Sequence, residues 1–291
     1  MPTCIALTGA TGGIGRATAL AIADRADHLI LHGLEPEAAV RDLLDEVSAR
    51  RRGGDRTRLT YLPADFGDLA SVAALASAIG GETDHVDVLV NNAARPGPAR
   101  RTLTDAGNEA TLQANYLAPV TLTDGLADLV ARAPQGRIIN VASATHLSAT
   151  LDLDDLTLAR PAYTSATAYA HSKLALVAWT GWLAAHRPGP SVDVVSLHPG
   201  VISTPLLHAM FAVGGDPPEH AADVIRHVLN LQGDNGTYYD ERRPASPNPQ
   251  ASDPAVQDRL HEITERILAR HQVTQRLEVV LAPPRLIAAW G

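Results

Sequence analysis

Short, nearly all-apolar runs alternate along this chain with longer stretches whose apolar residues recur every three or four positions. The apolar runs at 4–8, 29–33, 59–63, 86–91, 137–141, 192–198 and 236–239 read as strands. The helical period predicts helices over 16–25, 36–50, 68–79, 111–131, 167–186 and 219–231, and a further one over 254–271. A strand apolar on both faces must be covered on both, so the alternation predicts an α/β protein with a doubly wound parallel sheet. About seven strands are expected, with helices on both faces. No repeat and no linker divides the chain, which reads as one domain over 1–291, with a core over 1–240 and a C-terminal helix and tail over 241–291. Two irregular excursions, 144–165 and 198–218, follow strands. Loops at the carboxyl ends of parallel strands frame a ligand crevice, so these two are the expected walls of a substrate site.

Composition narrows the functions available. A formal charge of −8 and a pI near 5.8 oppose nucleic-acid binding, which needs clustered basic residues. The basic cluster Arg50-Arg51-Arg52 stands where a helix ends, where cations complement the helix dipole. The single cysteine, Cys4, lies in the first apolar run and reads as a core residue in a reducing compartment. The start of the chain shows no leader pattern, and no apolar run reaches the length that crosses a bilayer. The expectation is a soluble, cytoplasmic protein. Its 12 histidines are scattered without ligand spacing, so no metal is expected.

The chemistry starts at "TGATGGIG", residues 8–15, directly between a strand and a helix. Glycines at 9, 13 and 15 let backbone approach a pyrophosphate, and the following helix aims free N–H groups at it. The spacing Thr-Gly-x-x-x-Gly-x-Gly resembles the short-chain dehydrogenase/reductase family, whose fold is Rossmann-type. Further motifs extend that likeness over about residues 3–240: Asp65 and Phe66 in "LPADF", "NNAA" at 91–94, Asn115 in "QANYLAP", Ser143 in "RIINVAS", "YAHSK" with Tyr169 and Lys173, and "HPGVIST". Ala94 replaces the family's usual glycine. The separation of Ser143 from Tyr169 (26 positions), the inserted "LDLDDL" and the late "GTYYDE" are similar to the retinol-dehydrogenase-like branch.

The resemblance implies a dinucleotide held by Thr8, Gly9, Thr11, Gly13, Ile14, Gly15, Leu34, Asp65, Phe66, Asn92, Ala93, Ala94, Tyr169, Lys173, Pro199, Gly200, Val201 and Thr204. It implies catalysis by Asn115, Ser143, Tyr169 and Lys173. Lys173 would hold the nicotinamide ribose, Ser143 would steady the carbonyl oxygen and Asn115 would hold a water. Four residues apart on a helix, Tyr169 and Lys173 share a face, and an ammonium there would lower the phenol's pKa. Thr145, His146, Tyr163 and Leu206 are candidate substrate-pocket residues, with His171 a further histidine near the site. Tyr163 has Thr167 and no lysine four residues later, so it is a decoy for the catalytic tyrosine.

Cofactor choice is usually set after the second strand, here "LILHGLEPE". Neither the acid that NAD users carry where Gly33 stands nor the arginine that NADP users carry where Leu34 stands is present. Without an acid at Gly33, the reading leans to NADP. The apolar "LLHAMFAV" after Pro205 suggests a lipophilic carbonyl compound or secondary alcohol: a natural-product ketone, a steroid-like ketone or a retinoid-like aldehyde. The family's habit of pairing long helices, where Trp179 and Trp182 stand, implies a homodimer or homotetramer. Two alternatives are a catalytically silent dinucleotide sensor or scaffold, and sugar-nucleotide epimerase or dehydratase chemistry. The intact Asn-Ser-Tyr-Lys set opposes the first, and the glycine spacing with only about fifty residues after the last strand opposes the second.

Overall fold

Seven short strands lie parallel in one sheet, and the order in which they lie decides where a ligand fits. The computed structural model describes residues 3–51, 57–160, 162–186 and 188–281. The apolar tail beyond 281, and Arg52 of the basic cluster, lie outside them. Strands β1 (Cys4–Leu7), β2 (His28–Gly33), β3 (Arg58–Pro63), β4 (Val88–Asn91), β5 (Gly136–Val141), β6 (Val192–His198) and β7 (Tyr238–Asp240) take the order β3-β2-β1-β4-β5-β6-β7. The chain winds outward from β1 in one direction and resumes at β4 in the other. That reversal opens a crevice at the carboxyl ends of β1 and β4. The sheet has an eighth strand that periodicity missed: β8 (Arg243–Ala245) turns back antiparallel to β7 through Glu241 and Arg242, with Glu241 at φ 53°. Its residues Arg-Pro-Ala are all exposed and carry no apolar alternation to read. Its proline also blunts the sheet edge.

β1, β4 and β5 are buried along their whole length because alternate residues feed two cores. Ile138 packs towards α3 (Leu69–Glu82), α5 (Ala118–Ala131) and α6 (Ser165–Ala185). Ile139 packs towards α1 (Gly13–Ile22), α2 (Arg41–Arg50) and α8 (Pro218–Leu229). The helix expected over 111–131 is interrupted. A single turn, α4 (Ala110–Leu112), leads into a π-helical turn at Gln113–Leu117 before α5. A short helix, α7 (Pro205–Met210), lies within the second excursion, and α9 (Pro249–Ser252) precedes the long α10 (Pro254–Leu281).

α10 lies along α6. Trp182 stacks on His261 with ring centroids 3.5 Å apart, Leu260 is fully buried, and the Tyr116 and Thr264 hydroxyls meet at 2.6 Å. α10 thus covers the part of α6 that carries Trp182. Among the described residues no helix is long and apolar enough to cross a membrane, and no group of histidine, cysteine or carboxylate residues is arranged for a metal ion.

One buried ion pair fastens the last parallel strand to the sheet. Arg137 on β5 donates both terminal nitrogens to Asp234 at 2.7 Å each, and Tyr239 on β7 donates its hydroxyl to the same carboxylate. Burial works to raise the Asp234 carboxyl, but the bonds from Arg137 and Tyr239 outweigh it and hold the group below the ordinary carboxylate range. Arg137→Met is expected to lower the unfolding free energy by about 3 kcal/mol at pH 7, measured by urea denaturation. The folded carboxyl titrates below the unfolded one, so the pair's stabilisation is present above pH ~4 and is lost as pH falls through the folded value. The variant and wild type should converge there.

Candidate active site

The glycine run is a cradle in which side chains have no room. Gly9 has φ +65°, and a Cβ built on it would lie 2.7 Å from Ala93 Cα; one on Gly15 would lie 1.8 Å from the Gly9 carbonyl oxygen. α1 begins at Gly13 without a side-chain cap, so its first N–H groups and positive dipole end face the crevice. Thr8 does not line the crevice but builds it. Its buried hydroxyl donates to Val90 O at 3.3 Å and accepts from the amides of Asn92 and Ala93 at 3.0 Å each. Asn92 in turn donates to the carbonyls of Thr8 and Gly9. β1 and β4 are thereby stapled where the sheet order reverses.

The resulting cavity, about 980 Å³, is lined by Gly9, Thr11, Gly13, Ile14 and Gly15, then Leu34, Asp65 and Phe66, and by Asn92, Ala93 and Ala94. Ser143, Thr145, Tyr169, Lys173, Pro199, Gly200, Val201, Thr204 and Leu206 complete the expected set that lines it. A glycine cradle at an uncapped helix start, running to a tyrosine and a lysine, fits a nicotinamide dinucleotide.

His32 also lines the cavity and escaped the sequence reading, which saw only the end of a strand. Its Nε2 donates to Ala64 O at 3.1 Å, leaving Nδ1 to accept from Gly9 N at 3.3 Å. Burial pushes the imidazole down to about 4, so it stays neutral while stacked on Phe66 with centroids 4.6 Å apart. Gly33 is confined: a Cβ there would lie 2.3 Å from Thr11 Cγ2 and 2.6 Å from the Tyr61 hydroxyl. The position has no room for an acidic side chain. Leu34 beside it is 65% exposed, and among the described residues no lysine or arginine lines this end.

At the other end stand Ser143, Tyr169 and Lys173. Lys173 is fully enclosed, its Nζ donating to Val141 O at 2.8 Å and lying 5.7 Å from the centre of the Tyr169 ring. Burial pushes its amine down from 10.5 to about 7. The expectation that this amine lowers the Tyr169 phenol is corrected. Burial raises the phenol to about 12, and the Ser143 hydroxyl bonded to it only partly opposes that. Desolvation dominates the phenol, while the Lys173 Nζ is turned to the Val141 carbonyl.

Asn115 lies behind the cavity wall, within the π turn. Its Oδ1 accepts from Arg95 N at 2.8 Å, and its Nδ2 donates to Arg95 O at 3.0 Å and to Ser172 Oγ at 3.1 Å. It clamps the loop after "NNAA" to the helix that carries Tyr169. The break in helical period that brings it there is characteristic of functional sites.

Three expected pocket residues lie elsewhere. Tyr163 donates its hydroxyl to Glu109 at 2.9 Å, His146 is wholly buried and bonded to the Ser143 carbonyl, and His171 is buried with neither ring nitrogen partnered. None of them lines the cavity. A polar ring near a motif in sequence is as readily folded into the core as aimed at substrate. Arg95, Leu207, Met210, Phe211 and Val213 line the cavity instead, most of them from α7 and the chain after it.

Fold and site define an oxidoreductase that works with a nicotinamide dinucleotide. The short chain dehydrogenase family model matches residues 3–212, and the chain belongs to that family, in its retinol-dehydrogenase-like branch. Mouse retinol dehydrogenase 13 is 32% identical over 285 residues, covering 91% of this chain and 83% of that protein. A fatty acyl-CoA reductase of Acinetobacter baylyi is 29% identical over 233 residues, covering 77% and 71%. The NADPH-bound carbonyl reductase from chicken fatty liver superposes with a TM-score of 0.63 at 21% identity, covering 84% of this chain and all of that one.

Lys173 is held at a cost to stability. Below pH 7 the amine is protonated in both folded and unfolded chains, and the cost of an ammonium kept from water is present in full. As pH rises from 7 towards 10.5 that cost shrinks. Lys173→Met is expected to raise the unfolding free energy by about 2–4 kcal/mol at pH 6, and by less at pH 9. Paired urea titrations at the two pH values check this, and a wider gap at pH 9 would refute it.

Proposed function

We propose that this protein reduces the carbonyl group of a lipophilic small molecule, with NADP(H) favoured over NAD(H). The observation carrying the reading is the apolar wall of Leu206, Leu207, Met210, Phe211 and Val213 in the same cavity as Ser143, Tyr169 and Lys173. Relatives named for retinol and for a fatty acyl thioester support a lipophilic substrate, and a fold shared with carbonyl reductases supports the reaction.

When bound, the dinucleotide supplies the hydride. The chain's own residues manage the proton. Tyr169, its phenol raised to about 12, stays protonated across the neutral range and donates from Oη to the oxygen that becomes the alcohol. Ser143, bonded to that phenol, offers its hydroxyl to the same oxygen as negative charge develops there. The phenolate left behind regains its proton from solvent reaching the cavity, and Lys173, with Nζ 5.7 Å from the ring centre, steadies that anion while protonated. Buried Asn115 keeps the loop over the site fixed. Dinucleotide preference follows from Gly33, which carries no carboxylate to repel a 2′-phosphate. With no cation lining that end among the described residues, the preference is expected to be modest, about tenfold or less in Kd.

Titration with NADPH and NADH, followed by cofactor fluorescence, is paired with consumption assays on lipophilic ketones and aldehydes. The expected result is binding of both dinucleotides, the tighter being NADPH, with turnover. Tyr169→Phe should bind as wild type and lose at least about a hundredfold in kcat. Binding without turnover across the panel would favour a dinucleotide sensor, and no binding would refute the site.

A further inference from the structure

The sheet stops holding the chain one residue before Ser143. Val141 is the last β5 residue in register with β6, and Ala142 N donates to Leu197 O at 2.7 Å. Ser143 then leads into a short 3₁₀ turn (Ala144–Ser148), and its hydroxyl reaches Thr145 N at 3.3 Å. What fixes its peptide plane is His146. The ring Nδ1 donates to Ser143 O at 2.7 Å, and the His146 backbone N–H donates to the same oxygen at 3.1 Å. A donor at Nδ1 leaves Nε2 as an acceptor, and that atom receives the backbone N–H of Asn248 at 3.3 Å. Burial holds the imidazole below its ordinary range, which keeps this neutral form.

Asn248 does more than complete the ring's bonding. Its Nδ2 donates to the carbonyls of His146 and Ala149 at 3.0 Å each and of Leu147 at 3.3 Å, while its Oδ1 caps α9 through Gln250 N at 2.9 Å. One buried amide thus holds three carbonyls of the short turn that follows Ser143. The edge of the Tyr238 ring, 4.8 Å away, closes the other side of His146. Asn248 lies beyond residue 212, where the family match ends.

We propose that Asn248 and His146 are positioning residues: together they hold Ser143 in register with Tyr169, so that the region after β8 sets the geometry of a catalytic group it never touches. This rests on the reading of Ser143 as a carbonyl-binding hydroxyl. A displaced Ser143 weakens a contact made to developing charge, so the loss falls on kcat and leaves dinucleotide affinity alone. Gln250 is the internal comparison. It stitches the same loop further on, bonding both N and O of Leu151, and has no contact with His146 or Ser143 among the described residues.

The test is a double-mutant cycle in the full chain, measuring kcat, KM and dinucleotide Kd for wild type, Asn248→Ala, Ser143→Ala, the double variant and Gln250→Ala. Asn248→Ala is expected to lower kcat about tenfold with Kd unchanged. In the Ser143→Ala background it should change kcat by less than twofold, since its target is already gone. Gln250→Ala should leave kcat within twofold. His146→Asn, which keeps a side-chain donor, serves where Asn248→Ala fails to fold, and should recover most of the rate that His146→Ala loses. The same fall in both backgrounds, or an equal fall in Gln250→Ala, would reduce the clamp to a general structural role and overturn the proposal. Active wild type with an unimpaired Asn248→Ala would overturn it while leaving the carbonyl-reductase reading intact. A wild type inactive on every carbonyl would overturn both.

Discussion

Everything at the catalytic end is arranged around a lysine taken out of water. The Lys173 amine donates to the carbonyl of Val141, and among the described residues no carboxylate stands beside it to balance a charge. Such a group carries a desolvation cost that the surrounding structure has to offset. The buried amides of Asn91 and Asn140, bonded to each other and to Thr123 and Thr180, tie β4 and β5 to α5 and α6 beneath it. The enclosure that depresses the lysine also raises the tyrosine, so one feature of the fold leaves a neutral phenol beside an amine that is half-protonated near pH 7. Two groups whose ordinary values lie together are pushed several units apart, which separates a neutral acid from a titrating amine.

The site is held from behind as much as from within. Thr8, Asn115, His146 and Asn248 do not line the cavity, yet each fixes backbone that does, or backbone next to a catalytic group. Small buried side chains bonded to main-chain atoms carry this work because they lose little conformational freedom and leave no polar atom unpaired. The apolar wall from α7 onwards is fastened at its start, where the buried Thr204 hydroxyl accepts from Leu207 N, and at its end, where Asp216 pairs with Val201 and Ser203 through main-chain bonds.

Much of this was legible in the sequence. The alternation of apolar runs with helical periods located every parallel strand, and the glycine run fell at the reversal of strand order because both follow from the same close approach of backbone. Tyr169, Lys173 and Ser143 were picked out by the likeness of their motifs to the family, and the fold brings the three to one end of the cavity. What escaped detection lacked a local signature. β8 has no apolar residue to alternate, and the π turn at Asn115 adds a residue to a helix without altering its composition. His146 and Tyr163 stand near Ser143 and Tyr169 in sequence but lie off the cavity: His146 is turned back onto the Ser143 carbonyl, and Tyr163 is drawn to Glu109. Asn248, a hundred residues from the loop it secures, could not be found by any pattern of spacing. Nor could the reversal in the tyrosine's pKa, which depends on how much water the finished fold excludes.

α10 resting on α6 has a consequence for how the protein behaves on dilution. Where two separate copies bury such a helix face against each other, the contact weakens as the protein is diluted. Here the covering helix is tethered to the face it covers, through Tyr116 to Thr264 and Trp182 to His261, so its docking is intramolecular and sees a fixed effective concentration. The docking of α10 on the helix carrying Tyr169 and Lys173 is therefore independent of the amount of protein present. A catalyst made only in small quantity keeps its active-site helix covered as well as an abundant one.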